Sequence, residues 1–272
     1  MSTSLVDPIT LDIIENALKN IRYEMDAVVY LTAMSPIIRE QHDEFPLLTD
    51  PSGKMVVGQF GSYIGEFLAK YSGSIEPGDV FLQNDPYLCG GAISHINDWM
   101  VLLPIFCREK ELVGWASMFG HQLDCGGPIP GSLPVEATTI FGEGIRIPPF
   151  KLYRGGELNE EALGIILHNV RQPEFNRSDL MGLVAGCRTA EKRVLQLCDR
   201  FGKEVYLAAL EALFERTRRA MAQLIRENIP EERLSFEDYI DDDGLGNGPF
   251  KIKLTMRREG ERAIFDWTGT DA

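Results

Sequence analysis

Residues 95–124 read HINDWMVLLPIFCREKELVGWASMFGHQLD, and this stretch decides the fold. Two apolar runs, 99–107 and 112–120, flank the four charged residues 108–111. A polar connection of this length between two apolar runs is typical of a β-hairpin loop. Pro104 has no amide hydrogen for the strand ladder, so it predicts that its strand is an edge strand or carries a bulge.

The hairpin brings three metal-binding residue types to its open end. If the strands pair symmetrically about the midpoint between Glu109 and Lys110, Asp98 lies directly opposite His121, with Cβ atoms ~4.5–5.5 Å apart. His95 precedes Asp98 by one loop step and can fold over the same point. Two imidazoles and a carboxylate are a donor set for a divalent transition metal that leaves positions for water or substrate.

An alternative interpretation makes these histidines ordinary loop residues with satisfied hydrogen bonds. A one-residue bulge, which Pro104 allows, would also move His121 to the opposite face of the hairpin. From the residues alone, the metal site and the ordinary loop are equally good interpretations.

Other acidic residues are candidates for acid–base chemistry. Glu40 and Asp43 follow the first predicted helix, and paired carboxylates are a common acid–base arrangement, although these residues taken alone are better explained by a polar loop at a helix exit. Asp124 lies three residues after His121 and is a third candidate for proton transfer. Cys125 is interpreted as a buried apolar group rather than a nucleophile.

The chain is predicted to be an α+β protein. A β-rich region that carries the candidate metal site is flanked by an N-terminal helix and a helical segment, and a β-hairpin region follows at the C-terminus. The predicted parts are 1–150, with a first helix at about 8–32; 151–230, a helical segment packed on it; and 231–272, the start of a β region that is predicted to be incomplete.

Composition excludes several classes of function. Lys and Arg total 27 against 41 Asp and Glu, which gives a net charge of −14 and argues against binding to nucleic acid or to an anionic membrane. The five cysteines are widely spaced, and residues 1–7 lack a secretion signal, so a cytoplasmic location is predicted. The chain contains no phosphate-binding loop motif, so nucleotide binding is expected elsewhere.

Several motifs, in the same order along the chain, resemble those of the hydantoinase B family. The first group surrounds the hairpin, and the last resembles the family's "DFSGT" motif near the end of the chain. The residues that carry the resemblance are Asn84-Asp-Pro-Tyr87, Gly90-Gly91, His95, Asp98, His121–Gly127, Pro130-Gly-Ser132, Glu143-Gly-Ile-Arg-Ile-Pro-Pro149, Lys151-Leu-Tyr153, Asn169-Val-Arg171 and Phe265-Asp-Trp-Thr-Gly-Thr270.

The resemblance implies a subunit of an ATP-dependent enzyme that acts on cyclic amides or ketones. It implies that a hydantoinase A-like ATPase partner binds the ATP, in a hetero-oligomer. It maps the family's divalent metal (Zn, Mn or Fe) onto His95, Asp98 and His121, with Glu40 as a further ligand or acid–base group. It also implies a longer chain, of which these residues are the N-terminal part.

Three functions follow as expectations. The first is hydrolytic opening of a cyclic amide of the hydantoin, oxoproline or lactam type. The second is ATP-dependent carboxylation of a ketone such as acetone or acetophenone. The third is a non-catalytic scaffold that binds and stabilises the ATPase partner.

Overall fold

The fold is described from a computed structural model, which describes residues 6–271. The N-terminal segment that argues against secretion lies largely outside these residues. Helix α1, Pro8–Thr32, begins where predicted, because Asp7 accepts hydrogen bonds from the amides of Ile9 and Thr10, both at 3.0 Å. One stripe of α1 is buried: Ile14, Leu18, Ile21, Met25 and Val29.

A seven-stranded antiparallel sheet follows α1. Its order is β2-β1-β5-β4-β3-β6-β7, and the hairpin β4–β5 lies close to its centre. The strands are β1, Glu44–Thr49; β2, Met55–Val57; β3, Val80–Gln83; β4, Asp98–Phe106; β5, Leu112–His121; β6, Phe150–Arg154; and β7, Glu157–Leu158.

The remaining helices lie partly in the region 151–230, which was predicted to be helical but begins with strands β6 and β7. Two long helices account for most of it, and short helices connect the strands. They are α2, Pro36–Arg39; α3, Ile64–Lys70; a 3₁₀ turn at Ile140–Gly142; α4, Glu160–His168; α5, Pro173–Phe201; and α6, Lys203–Asn228.

The two faces of the central hairpin have different partners, because side chains alternate along a strand. Gly120 lies against α5, where a Cβ atom on this glycine would be 3.1 Å from the side chain of Leu183. On the other face, Ser117 bonds the buried hydroxyl of Tyr63 at 2.5 Å, and Phe119 joins the apolar cluster that contains Phe67 of α3. His121 shares this second face with Ser117 and Phe119.

The expectation that Pro104 marks an edge strand is wrong for the strand as a whole. β4 is an interior strand, paired with β5 on one side and with β3 on the other. However, β3 pairs only with Met100, Val101 and Leu102 of β4, so Pro104 lies beyond the paired part and its missing amide hydrogen costs no bond to β3. The register does shift next to Pro104, between Ile105 and Phe106.

The chain forms two compact units, one ending at Glu211 and the other beginning at Ala212. The second unit contains an antiparallel sheet of order β10-β9-β8, which confirms strands in the C-terminal region. Its strands are β8, Leu234–Ile240; β9, Phe250–Glu259; and β10, Arg262–Asp266. The α+β class is confirmed, whereas the division into 1–150, 151–230 and 231–272 stays a prediction.

Within residues 6–271, no helix combines the length and the apolar character needed to cross a membrane. The five cysteines are all buried thiols. Burial raises the pKa of the Cys125 thiol strongly, and its sulfur lies 3.6 Å from the carbonyl oxygen of Ile96. These features are typical of a packed apolar side chain and agree with the interpretation of Cys125 as a structural residue.

Candidate metal centre

The open end of the central hairpin brings together the three residues that were predicted as metal ligands. Asp98 begins β4 and His121 ends β5, and the two residues pair directly, as the symmetric hairpin predicts. The Asp98 Oδ1 atom lies 3.4 Å from His121 Nδ1, and its Oδ2 atom lies 3.7 Å from His95 Nδ1. One ligand atom from each of the three residues falls within 4.8 Å of the others.

The register survives a bulge near the hairpin loop. Ile105 pairs with Gly114 and Phe106 pairs with Leu112, so Val113 is an extra residue on β5. Because this bulge lies at the loop end, the symmetric pairing holds over the rest of the hairpin and places the carboxylate and the imidazole on one face.

Backbone hydrogen bonds hold the end of the hairpin in place. The His121 amide donates to the carbonyl oxygen of Asp43 at 3.0 Å, which ties β5 to the start of β1. The loop that carries His95 is held by the fully buried Asn84, whose Nδ2 donates to the carbonyl oxygen of Ile96 at 2.8 Å. The Asn84 Oδ1 atom accepts from the amide of Ile147 at 2.6 Å, so this side chain joins two loops.

The surroundings of the three side chains suit a bound cation. Asp98 and His121 are each only 7% exposed, and the two imidazole rings lie 5.0 Å apart at 74°. The buried Nδ1 atom of His95 has no hydrogen-bond partner among the described residues, which is unusual for a buried polar atom. Two atoms bound to one metal through bonds of ~2.1 Å lie roughly 3–3.5 Å apart. The 3.4 Å separation between Asp98 and His121 is within this range, and the 3.7 Å separation between Asp98 and His95 is slightly longer.

The other predicted site residues differ in their placement. Asp43 lies beside the cluster, with its Oδ2 atom 3.7 Å from His121 Nδ1, and its side chain is 41% exposed. Glu40 lies at the C-terminal end of α2, where its side chain is exposed and is not one of the three clustered residues. The structure therefore brings Asp43, but not Glu40, into contact with the candidate ligands.

Asp124 is engaged in a network of its own. Its Oδ1 atom accepts from the amides of Gly126 at 2.8 Å and Arg171 at 3.1 Å. Its Oδ2 atom accepts from the amide of Gly131 at 3.0 Å and from the Arg171 guanidinium at 2.9 Å. Burial opposes the charge of Asp124, but these donors outweigh it and lower the pKa of this carboxyl group. The network folds the loop that follows β5.

Glu44 was missed by the sequence reasoning. It pairs with Gly120, so its side chain lies on the face of the sheet opposite to His121. Burial, with a smaller effect from the negative charges of Asp26 and Asp43, raises the pKa of Glu44 to about 7, although the nearby Tyr30 hydroxyl lowers it. Neither carboxylate oxygen of Glu44 has a well-formed hydrogen bond among the described residues. Only its position at the start of a strand beside α1 could have signalled this environment.

Comparison with known proteins identifies the family. A sequence profile described as hydantoinase B/oxoprolinase matches residues 7–272. The chain belongs to the hydantoinase B/oxoprolinase family. It is 33% identical over 267 residues to the caprolactamase subunit beta of Pseudomonas jessenii, which covers 95% of this chain and 45% of the relative.

The matches also include a solved caprolactamase structure and a carboxylase subunit. The crystal structure of the ATP-dependent caprolactamase from Pseudomonas jessenii superposes with a TM-score of 0.83 at 29% identity, over 95% of this chain and 45% of that one. The acetophenone carboxylase delta subunit of Aromatoleum aromaticum is 28% identical over 84% of this chain and 34% of the relative. The chain thus spans less than half the length of these relatives.

Proposed function

We propose that this chain is the metal-holding part of a B-type subunit in an ATP-dependent enzyme that opens a cyclic amide. The observation that carries the proposal is the cluster of His95, Asp98 and His121, in which the buried Nδ1 atom of His95 has no hydrogen-bond partner among residues 6–271. The similarity to a caprolactamase subunit supports a cyclic amide as the substrate class.

The surroundings of each side chain decide whether we assign it to metal binding or to proton transfer. His95, Asp98 and His121 hold the ion, for which Zn, Mn and Fe all suit two imidazoles and one carboxylate. When bound, such an ion polarises a carbonyl group or acidifies a water molecule. Asp43 lies 3.7 Å from His121 and is partly open to solvent, so it is placed to accept or return a proton next to the ligands.

Asp124 and Glu40, the other sequence-based candidates for proton transfer, are less suited to this role. Both carboxylate oxygens of Asp124 already accept two hydrogen bonds each. Glu40 is exposed at a helix end. We therefore assign proton transfer to Asp43, and we assign to Asp124 the role of shaping the loop that follows β5.

ATP binding belongs, in this proposal, to a hydantoinase A-type partner subunit in a hetero-oligomer. The chain carries no phosphate-binding loop motif, whereas activation of an amide by ATP needs a nucleotide site. The caprolactamase relative is itself named as a subunit, which supports an assembly of this kind.

Metal analysis of the purified full chain tests the site. We expect about one Zn, Mn or Fe per chain, and a loss of metal affinity of more than ~100-fold in His95→Ala and His121→Ala, since even outer-shell changes cost ~10–100-fold. His168→Ala is the matched control, because His168 ends α4 with an exposed side chain. A chain that binds no metal would favour the non-catalytic scaffold.

Activity of the reconstituted complex tests the reaction. Together with its A-type partner, the chain is expected to hydrolyse ATP only when a cyclic amide is present, and His95→Ala is expected to abolish this coupling. Turnover that is unchanged in His95→Ala overturns the metal-site assignment. ATP hydrolysis that requires a ketone and bicarbonate instead would identify a ketone carboxylase, the activity in the name of the Aromatoleum aromaticum relative.

A further inference from the structure

Three phenylalanine rings lie next to the candidate metal centre and have no role in holding it. Phe45 belongs to β1, Phe119 belongs to β5, and Phe60 lies in the loop after β2. We propose that these three rings form an aromatic wall that binds the hydrocarbon ring of a substrate whose polar group lies at the metal ligands. The inference rests on the proposed function, because it places the substrate at that same site.

The register of the sheet places the wall beside the site. Phe119 precedes His121 by two residues, so both side chains point to the same face, ~7 Å apart along the strand. Phe45 pairs directly with Phe119, and it follows Asp43 by two residues. The pair of rings therefore continues, along the same two strands, the contact between Asp43 and His121.

The rings form a connected apolar surface. Phe45 and Phe119 have centroids 5.0 Å apart, and Phe60 meets Phe45 edge to face at 4.5 Å and 85°. Phe119 is only 7% exposed and Phe45 is half-buried, whereas Phe60 is 71% exposed. The wall thus has a buried floor and one ring that stands open to solvent.

The backbone of Phe60 is unusual for a residue of its size. Its φ of +61° is in the left-handed region, where a bulky side chain is strained. Such conformations persist only where the surrounding structure compensates for the strain, and they cluster at active sites and ligand-binding sites. His42, directly before Asp43, has a φ of +57°, so strained residues border the site on two sides.

The chemistry of the wall defines the substrate that it accepts. Aromatic rings bind flat or cyclic hydrocarbon groups, and their faces offer no partner to an anionic substituent. A ligand that reaches from the metal ligands to the wall must carry its polar group and its ring within ~7 Å of each other, the separation of alternate residues on a strand. The wall therefore selects small molecules in which a ring is attached to, or contains, the group that meets the metal.

Two hydroxamates test the wall, because both chelate a metal but only one carries a ring. The full chain is loaded with Co(II), and its visible spectrum is used to titrate acetohydroxamate and benzohydroxamate. We expect the wild type to bind benzohydroxamate about tenfold more tightly, the upper range of one aromatic contact. In Phe60→Ala this preference should fall to about threefold or less, with the affinities for Co(II) and for acetohydroxamate unchanged.

A second variant and a matched control complete the test. Phe60→Gly removes the ring and also relieves the left-handed strain, so it should lose the same preference while its melting temperature rises. Phe201→Ala should keep the full preference, because Phe201 lies near the loop end of the hairpin and the candidate site is at the open end. Phe201 ends α5 close to Asp199, whose side chain contacts Arg108 in the hairpin loop.

The outcomes separate this inference from the proposed function. A chain that binds no Co(II) overturns the metal centre and the wall together. A chain that binds Co(II) with equal affinity for both hydroxamates overturns the wall alone. A preference that survives in both Phe60 variants, or one that is lost in Phe201→Ala, would also contradict the assignment.

Discussion

Asp98 and Asp124 are two buried carboxylates near the open end of one hairpin, and their surroundings are opposite. Asp98 faces two imidazole nitrogens at 3.4 and 3.7 Å, distances longer than ordinary hydrogen bonds. Asp124 accepts four hydrogen bonds from Gly126, Gly131 and Arg171. Burial of an acidic side chain therefore does not by itself indicate a catalytic or metal-binding role. Its hydrogen-bond partners decide whether the group stabilises the fold or remains available to a ligand.

The two sites also differ in how the chain builds them. Asp98 meets its partners through strand pairing, which sets distances without using the side chain. Asp124 organises a glycine-containing loop, in which Gly126 has a φ of +88° and a Cβ atom would lie 2.5 Å from the carbonyl oxygen of Asn169. The loop therefore needs both the glycine and the carboxylate, so removal of either is expected to act on stability.

The largest effect on stability is expected when the Asp124 network loses its arginine. Arg171→Ala leaves a buried carboxylate without its charged partner, which should lower the free energy of unfolding by about 3 kcal/mol. Urea denaturation of the metal-free chain measures this. Arg177→Ala is the matched control, because Arg177 pairs with Glu160 on the surface and such pairs contribute only about 0–1 kcal/mol. Equal losses in the two variants would contradict the structural role of Asp124.

Glu44 extends the comparison to a buried acid with poor hydrogen bonding. Burial raises the pKa of Glu44 from 4.5 to about 7, so the folded state binds this proton more tightly than the unfolded state does. The stability that the proton contributes is lost as the pH rises through about 7. Glu44→Gln should remove this pH dependence of the free energy of unfolding. At pH ~8 its free energy of unfolding should exceed that of the wild type by up to about 3 kcal/mol. Denaturation curves at several pH values, with the exposed Glu40→Gln as control, check this; parallel wild-type and Glu44→Gln profiles would refute it.

Asp7 is the exposed counterpart of Asp124, since its carboxylate also accepts hydrogen bonds from backbone amides. Asp7→Ala removes the cap of α1 and should lower the free energy of unfolding by about 1 kcal/mol. Asp7→Ser keeps a capping oxygen and is expected to recover most of this loss. A deficit that is equally large in both variants would mean that the cap is not the cause.

The smallest effect on stability is expected at Asp98. In the presence of a chelator, the free energy of unfolding of Asp98→Asn should lie within about 0.5 kcal/mol of the wild-type value or above it. Substitutions at functional sites commonly have this effect. With metal at ~100 times its Kd, the wild type should gain about 2.7 kcal/mol and the variant much less. Thermal unfolding with and without Zn or Mn measures both quantities. A variant that is strongly destabilised without metal would place Asp98 in the same class as Asp124.

Much of the candidate site could be predicted because its interactions are local in sequence. Asp98 and His121 belong to one hairpin, so their pairing follows from the length and symmetry of a short loop. The rest could not be predicted in this way. Arg171 reaches Asp124 from 47 residues away, and Asn84 donates to the carbonyl oxygen of Ile145, 61 residues further along the chain, so no spacing rule connects these partners.

The treatment of Pro104 shows the same limit. A proline disfavours pairing on one side of a strand, and the sequence correctly indicates a disturbance there. Which neighbour is missing depends on where β3 ends, and this is decided by the packing of a separate segment.

The sequence by itself determined the family, through its motifs. It also determined the first helix, the central hairpin and the three residues that meet at its end, because periodic apolar spacing and short-range pairing fix these structural features. Only the tertiary structure decided that Asp124 is saturated by Arg171, that Glu44 is buried on the far face of the sheet, and that Phe60 stands beside Phe45 and Phe119. The physical reason is that the state of a side chain depends on the partners that surround it in space, and in this fold distant segments supply those partners.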